Sequence, residues 1–211
     1  MTSSKRGHTN RLSAWPKAIY RKLKWQYLNA ISRGSINEVI LIDPCAIEYG
    51  QKPESQFHPK KFLGGYENGD WDQQVIPVES HLLYQSYTQH FLKGDPWEST
   101  PFFHYALESI KKGVPFRGEY DSVEKLKQRF EKCDHLYFMI KRDGYKSNHQ
   151  LYDEGRIDNK LDLLDEISVN RARDGSIILN DGWHRFASAR LLKISSIPAR
   201  LCAKHTLSRN P

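Results

Sequence analysis

The chain has 211 residues, 38% of them hydrophobic, 27% charged and 12% aromatic. That is enough for one domain with a real core, and too aromatic for a disordered chain. The net charge of +7 sits in one place: residues 1–35 hold eight basic residues and no acid, leaving 24 basic against 25 acidic residues in the rest. A basic arm joined to a near-neutral body is a different object from a uniformly basic nucleic-acid-binding domain.

No stretch approaches the roughly 20 apolar residues that span a bilayer, and Met1–Ser13 lacks the apolar run of a secretory signal, so a cytoplasmic location is expected. Three well-separated cysteines, Cys45, Cys133 and Cys202, give neither a disulfide framework nor zinc-ligand spacing.

Trp15, Ile19, Leu23, Tyr27 and Ile31 recur every four residues, with Pro16 fitting the first turn and Gly34 a stop. Such a basic amphipathic helix packs on the body, lies on an anionic membrane face or grips nucleic-acid phosphates. Val39–Ile42 reads as a buried strand ended by Asp43-Pro44, and residues 50–75 read as loop. Helices are expected around 79–92 and 99–112, and from a cap at Asp121 or Ser122 to about Arg142, with a break at Asp134 or His135 left open. Trp71, Trp97, Phe102 and Phe103 read as core of a helical subdomain or as an acceptor pocket. Glu166–Asn170 and Ser176–Leu179 flank Arg173-Asp174-Gly175 as a hairpin, and Ile197–Cys202 reads as a closing strand.

The sharpest signal is strand, Asp181-Gly182 turn, then helix, with His184 and Arg185 in the helix's first turn. Free N–H groups and the positive dipole end meet there and favour an anion. Arg185 is expected to clamp phosphate, and His184 to donate a hydrogen bond or move a proton. A capped helix start with a surface Arg explains the same five residues. Gly144-Tyr145-Lys146 offers close backbone approach, a stacking ring and a phosphate-reaching ammonium, or simply a helix C-cap with exposed neighbours. Phosphoryl transfer needs a carboxylate for base or metal; Asp43, Glu48, Glu166 and Asp181 are the candidates, with Asp43 and Glu48 flanking the end of the first strand.

The blocks Ile40–Ile47, Phe138–Tyr145, Glu166–Asn170, Ser176–Ala189 and Leu191–Arg200 together resemble the ParB/sulfiredoxin-like superfamily, often described as ParB-like nuclease domains. The resemblance covers about 36–49 and 121–203, and its specific part is the C-terminal block. It implies an α/β (α+β) fold with a mixed sheet and flanking helices. The expected organisation is a basic arm and helix at 1–35, a core at 36–49 and 121–211, and a loop and helical insertion at 50–120.

The resemblance also implies nucleotide phosphates at the Asp181–Arg185 turn. Sulfiredoxins place a cysteine just before the His-Arg pair; here Trp183 stands there, so their chemistry is not expected. No helix-turn-helix follows the core as in the chromosome-partitioning members, which disfavours a DNA clamp. Free-serine kinases of this fold are the closer analogue. The expected function is an ATP- or ADP-dependent phosphotransferase, with CTP an alternative nucleotide and Mg²⁺ arriving with it. A small molecule or saccharide hydroxyl is the acceptor, Asp43, Glu48 and His184 are catalytic, and Asp181, Gly182, His184, Arg185, Gly144, Tyr145 and Lys146 bind the nucleotide. The alternatives are a DNA-associated protein or nuclease, and a non-enzymatic nucleotide sensor held at a membrane surface by the arm.

Overall fold

The computed structural model describes residues 38–53, 56–57, 65–158 and 165–208. The readings that fall on residues 1–35 lie outside these described residues. The fold is mixed α/β: a seven-stranded mixed sheet with about five helices. The strands are β1 (Val39–Ile42), β2 (Tyr49–Gln51), β3 (Tyr66–Glu67), β4 (Val75–Pro77), β5 (Ser168–Arg171), β6 (Ile177–Asp181) and β7 (Ile197–His205). The sheet order is β1-β7-β5-β6-β2-β4, with β3 also on β7. The β5–β7, β2–β6 and β3–β7 pairs are parallel; the others are antiparallel.

Val39–Ile42 is a strand, as its β-branched run dictates, but not a buried one. It is the terminal strand of the sheet, so Val39 and Leu41 stay 55% and 74% exposed while Ile42 is buried. The segment at 50–75, expected as loop, contains β3 and parts of β2 and β4, each two or three residues long and too short for an alternating pattern to reveal. The 50–120 segment therefore shares the sheet as well as supplying helices. Asp174-Gly175 turns the β5–β6 hairpin as expected, with Gly175 at φ +89.

The helices are α1 (Leu82–Tyr87, continued by one π-type turn over Thr88–Lys93), α2 (Pro101–Lys111), α3 (Val123–Asp143), α4 (Asn148–Asp153) and α5 (Trp183–Leu191). Ser122 caps α3 by accepting the Lys125 N–H. The α3 helix runs unbroken through Asp134, because that side chain reaches across to accept from Trp97 Nε1 at 2.8 Å rather than competing for backbone. One hydrophobic cluster joins sheet and helices: Ile42, Val169, Leu179 and Ile197 from strands, Tyr87, Trp97, Phe102, Phe103, Phe130 and Phe186 from helices. Trp71 packs in a second, smaller cluster with Ala172, Ile178 and Ala203. Among the described residues no helix is long and apolar enough to cross a membrane.

Candidate functional site

The β6 strand ends at Asp181, and Gly182 turns the chain at φ +92 into α5. Only glycine suits this point on two grounds. Its φ lies in the left-handed region, and a Cβ would stand 2.9 Å from the Ile167 backbone Cα. Gly182→Ala is expected to cost about 2–3 kcal/mol through strain and overlap. Urea unfolding checks this; an unchanged midpoint contradicts it. Among the described residues no side chain caps α5, so the first-turn N–H groups lack an intrahelical or side-chain partner.

A cavity of about 750 Å³ opens at this turn. Asp181, Gly182, Trp183, His184, Arg185 and Asp165 form the wall from the sheet side. His81, Leu83, Phe102, Tyr105, Phe116 and Arg117 form the wall from the helical segment. Trp183, 7% exposed, stacks face to face on His81 at 3.7 Å and 7°. Its other edge lies where a Cβ on Gly50 would be, 2.4 Å from Cζ2, so β2 needs glycine there.

His184 is placed in the cavity wall as expected, but its ring is already committed. Nε2 lies 2.9 Å from Arg129 Nη2, and Nδ1 lies 2.9 Å from the Tyr87 hydroxyl and 3.6 Å from Cys133 Sγ. Arginine can only donate, so Nε2 accepts, Nδ1 carries the proton, and Tyr87 accepts it. The Tyr87 hydroxyl proton is then left for Cys133 Sγ. Burial first, then the charges of Arg129 and Arg117, hold the His184 pKa down at about 3. With both nitrogens engaged, the ring ties α5 to α1 and α3. In this arrangement His184 has a holding role, distinct from the catalytic one expected of it.

Arg185 is likewise committed. Nη1 donates to Glu166 Oε1 at 2.9 Å and to Asn148 Oδ1 at 2.6 Å, and Nη2 donates to the Asp165 carbonyl. Glu166 also accepts from the Tyr145 hydroxyl at 2.9 Å and the Asn148 N–H at 2.8 Å. Arg185 is thus a staple between α5, β5's approach and the start of α4. A bidentate phosphate clamp would require it to leave a 7%-exposed carboxylate, which is unfavourable.

The remaining expectations divide. Gly144 ends α3 at φ +78, Tyr145 serves Glu166, and Lys146 is spent on Glu154 at 2.7 and 2.8 Å; none of the three lines the cavity. Asp43 accepts the Cys45 N–H at 2.8 Å, as a turn residue does. Asp43 and Glu48 line a separate groove of about 740 Å³ with Arg171 and Asp174. The sheet order puts β1, and Asp43 after it, three strands from β6, about 14 Å at the usual spacing, while Glu48 leads into β2 level with Ile177, at the end of β6 opposite Asp181. The structure does not bring these two carboxylates to the turn. The carboxylates it does bring are Asp181, exposed, with Oδ1 accepting the Gly182 N–H at 2.7 Å, and Asp165.

Three residues were missed. His81 caps α1 with Nδ1, which accepts the Leu83 N–H at 3.3 Å, so its proton is on Nε2. Burial and then Arg117 lower its pKa to about 4. Arg117 stands at the cavity's rim and Arg129 behind His184. No local signal marks any of the three; they come from separate stretches that only packing unites.

The two histidines make stability acid-sensitive. Their native pKa values, about 3 and about 4, lie below the ordinary 6.5, so between these limits the unfolded chain binds protons that the native chain refuses. Stability therefore falls as pH drops below about 6.5. Lowering pH from 7 to 5 is expected to cost about 3 kcal/mol in urea unfolding; a flat profile contradicts the neutral assignments.

Searches against protein-family models, curated proteins and solved structures find no match for this chain.

Proposed function

We propose that the chain is a nucleotide-dependent phosphotransferase of the ParB/sulfiredoxin-like fold. It moves a phosphoryl group from ATP or ADP to a hydroxyl of a small molecule or saccharide. The observation that carries this reading is the convergence of the uncapped α5 N-terminus with an aromatic wall, Phe102, Tyr105 and Phe116, across a cavity of about 750 Å³. Phosphate oxygens suit the first and a nucleobase the second. The volume falls within the range of small-ligand sites.

Asp181 takes the base position, because it is an exposed carboxylate at the mouth of the turn. Its carboxylate accepts the acceptor's proton as the new O–P bond forms and the bond to the nucleotide's leaving oxygen breaks. Asp165, the other carboxylate in the cavity lining, offers oxygen that suits a hard cation entering with the nucleotide. Mg²⁺ bound there would neutralise charge on the transferring phosphoryl group. Arg185 and Glu166 hold the turn in place from beneath, and His184 holds α5 against the helices.

The test follows ATP and ADP with Mg²⁺ by phosphorus NMR against a panel of sugars, amino acids and polyols. A new phosphomonoester resonance that grows with enzyme is expected. Nucleotides that remain unchanged across the panel, and that do not bind, remove this reading.

A further inference from the structure

Charge is unbalanced on the wall that the 50–120 segment contributes. Arg117 lines the cavity with its backbone at φ +51, and Gly118 follows at φ +72. Two consecutive positive φ values make a tight turn that ordinarily takes Asn, Asp or Gly. The turn is pinned on both sides: the Phe116 N–H donates to the Tyr120 carbonyl at 2.8 Å, and the Gly118 N–H to the Pro115 carbonyl at 3.0 Å. An arginine is therefore held in an unusual conformation at the mouth of the cavity.

Among the described residues no carboxylate lies within ion-pair distance of Arg117 or of Arg129. Arg129 spends its donors on two neutral groups, the Tyr120 hydroxyl at 3.3 Å and His184 Nε2 at 2.9 Å, and its Nε is buried with no partner. The two cations stand close enough that Arg129 adds to burial in lowering the Arg117 pKa, and Asp181 is the acid that opposes them. His81 adds a donor: with Nδ1 capping α1, its Nε2–H is left for the cavity it lines.

We propose that Arg117 and His81 form a subsite for a tetrahedral oxyanion, a phosphate or sulfate group, with Arg129 supplying field from behind. The subsite deepens the phosphotransferase reading, and assigning its source rests on that reading. The oxyanion belongs either to the nucleotide's distal phosphate or to the acceptor. Neither Arg117 nor His81 belongs to the Asp181–Arg185 turn, so the recognition is supplied by the helical segment.

The test is calorimetry of the full chain with pyrophosphate, inorganic phosphate and sulfate, on wild type and Arg117→Gln. Arg117→Gln breaks no ion pair among the described residues and keeps a polar side chain at the rim, so the variant is expected to keep the wild-type melting temperature. Wild type is expected to bind pyrophosphate, and the variant to bind at least tenfold more weakly. Equal binding by the two proteins, or no oxyanion binding by wild type, overturns the subsite. AMP, ADP and ATP then separate the sources. A gain in affinity with each added phosphate that vanishes in Arg117→Gln assigns the subsite to the nucleotide. Nucleotide affinity indifferent to Arg117, with pyrophosphate binding still dependent on it, assigns it to the acceptor. Arg117-dependent pyrophosphate binding without any nucleotide binding removes the nucleotide reading and leaves the subsite standing.

Discussion

Glu166→Ala is expected to lower stability by about 3–5 kcal/mol, the cost of leaving a largely buried charge without its partner. Arg185 is 15% exposed in its side chain and Glu166 only 7%. Removing the carboxylate strands more than the guanidinium. The Tyr145 hydroxyl and the Asn148 N–H both lose their acceptor, and each unsatisfied buried donor adds its own penalty. For a domain of this size the melting temperature should fall by about 10 °C or more. Glu166→Gln keeps the shape and an acceptor oxygen and should cost less. Differential scanning calorimetry separates the two. If Arg185 were instead waiting for a phosphate, Glu166→Ala would change melting little and would strengthen anion binding.

The second large effect is on turnover. Asp181→Asn is expected to reduce kcat by about 10²–10⁴, the usual contribution of a positioned base. Asparagine keeps an oxygen for the Gly182 N–H, which Asp181 now satisfies at 2.7 Å, so the turn should survive. Losing a negative charge beside the phosphate site should leave nucleotide affinity unchanged or slightly higher. Phosphoester formation followed in the substrate panel, with affinity measured in parallel, reads both effects. A variant with wild-type kcat places the base elsewhere, Asp165 being the next carboxylate in the cavity.

What the sequence made legible is what short stretches decide for themselves. Asp174-Gly175 announces a hairpin because few residues accept its backbone. Ser122 and Gly144 mark the two ends of α3 by capping chemistry. Asp181-Gly182 followed by a helix locates the turn where the cavity opens. These are local rules, and they hold residue by residue.

The misplacements have a common origin in long-range packing. Asp43 sits at the end of β1, as read, but β7 and β5 intervene between that strand and β6; Glu48 leads into β2 beside β6, but at the end of that parallel pair opposite Asp181. Strand order is not written in any window of sequence. His184 and Arg185 occupy the helix start, as read, yet Tyr87, Arg129 and Glu166 engage their side chains from 97, 55 and 19 residues away. The same packing brings His81 and Arg117 to the cavity. Their chemistry is ordinary in sequence and becomes specific only when β2, the helices and the turn share one space.

On the proposed reading, the α5 N-terminus and the aromatic wall hold a nucleotide. Calorimetric titration with ATP, ADP and CTP in the presence of Mg²⁺ decides whether they do. Saturable binding of one of the three, competed by pyrophosphate and abolished in Gly182→Ala protein that remains folded at the working temperature, is the predicted result. No binding of any of the three by wild-type protein rules out a nucleotide site at this turn.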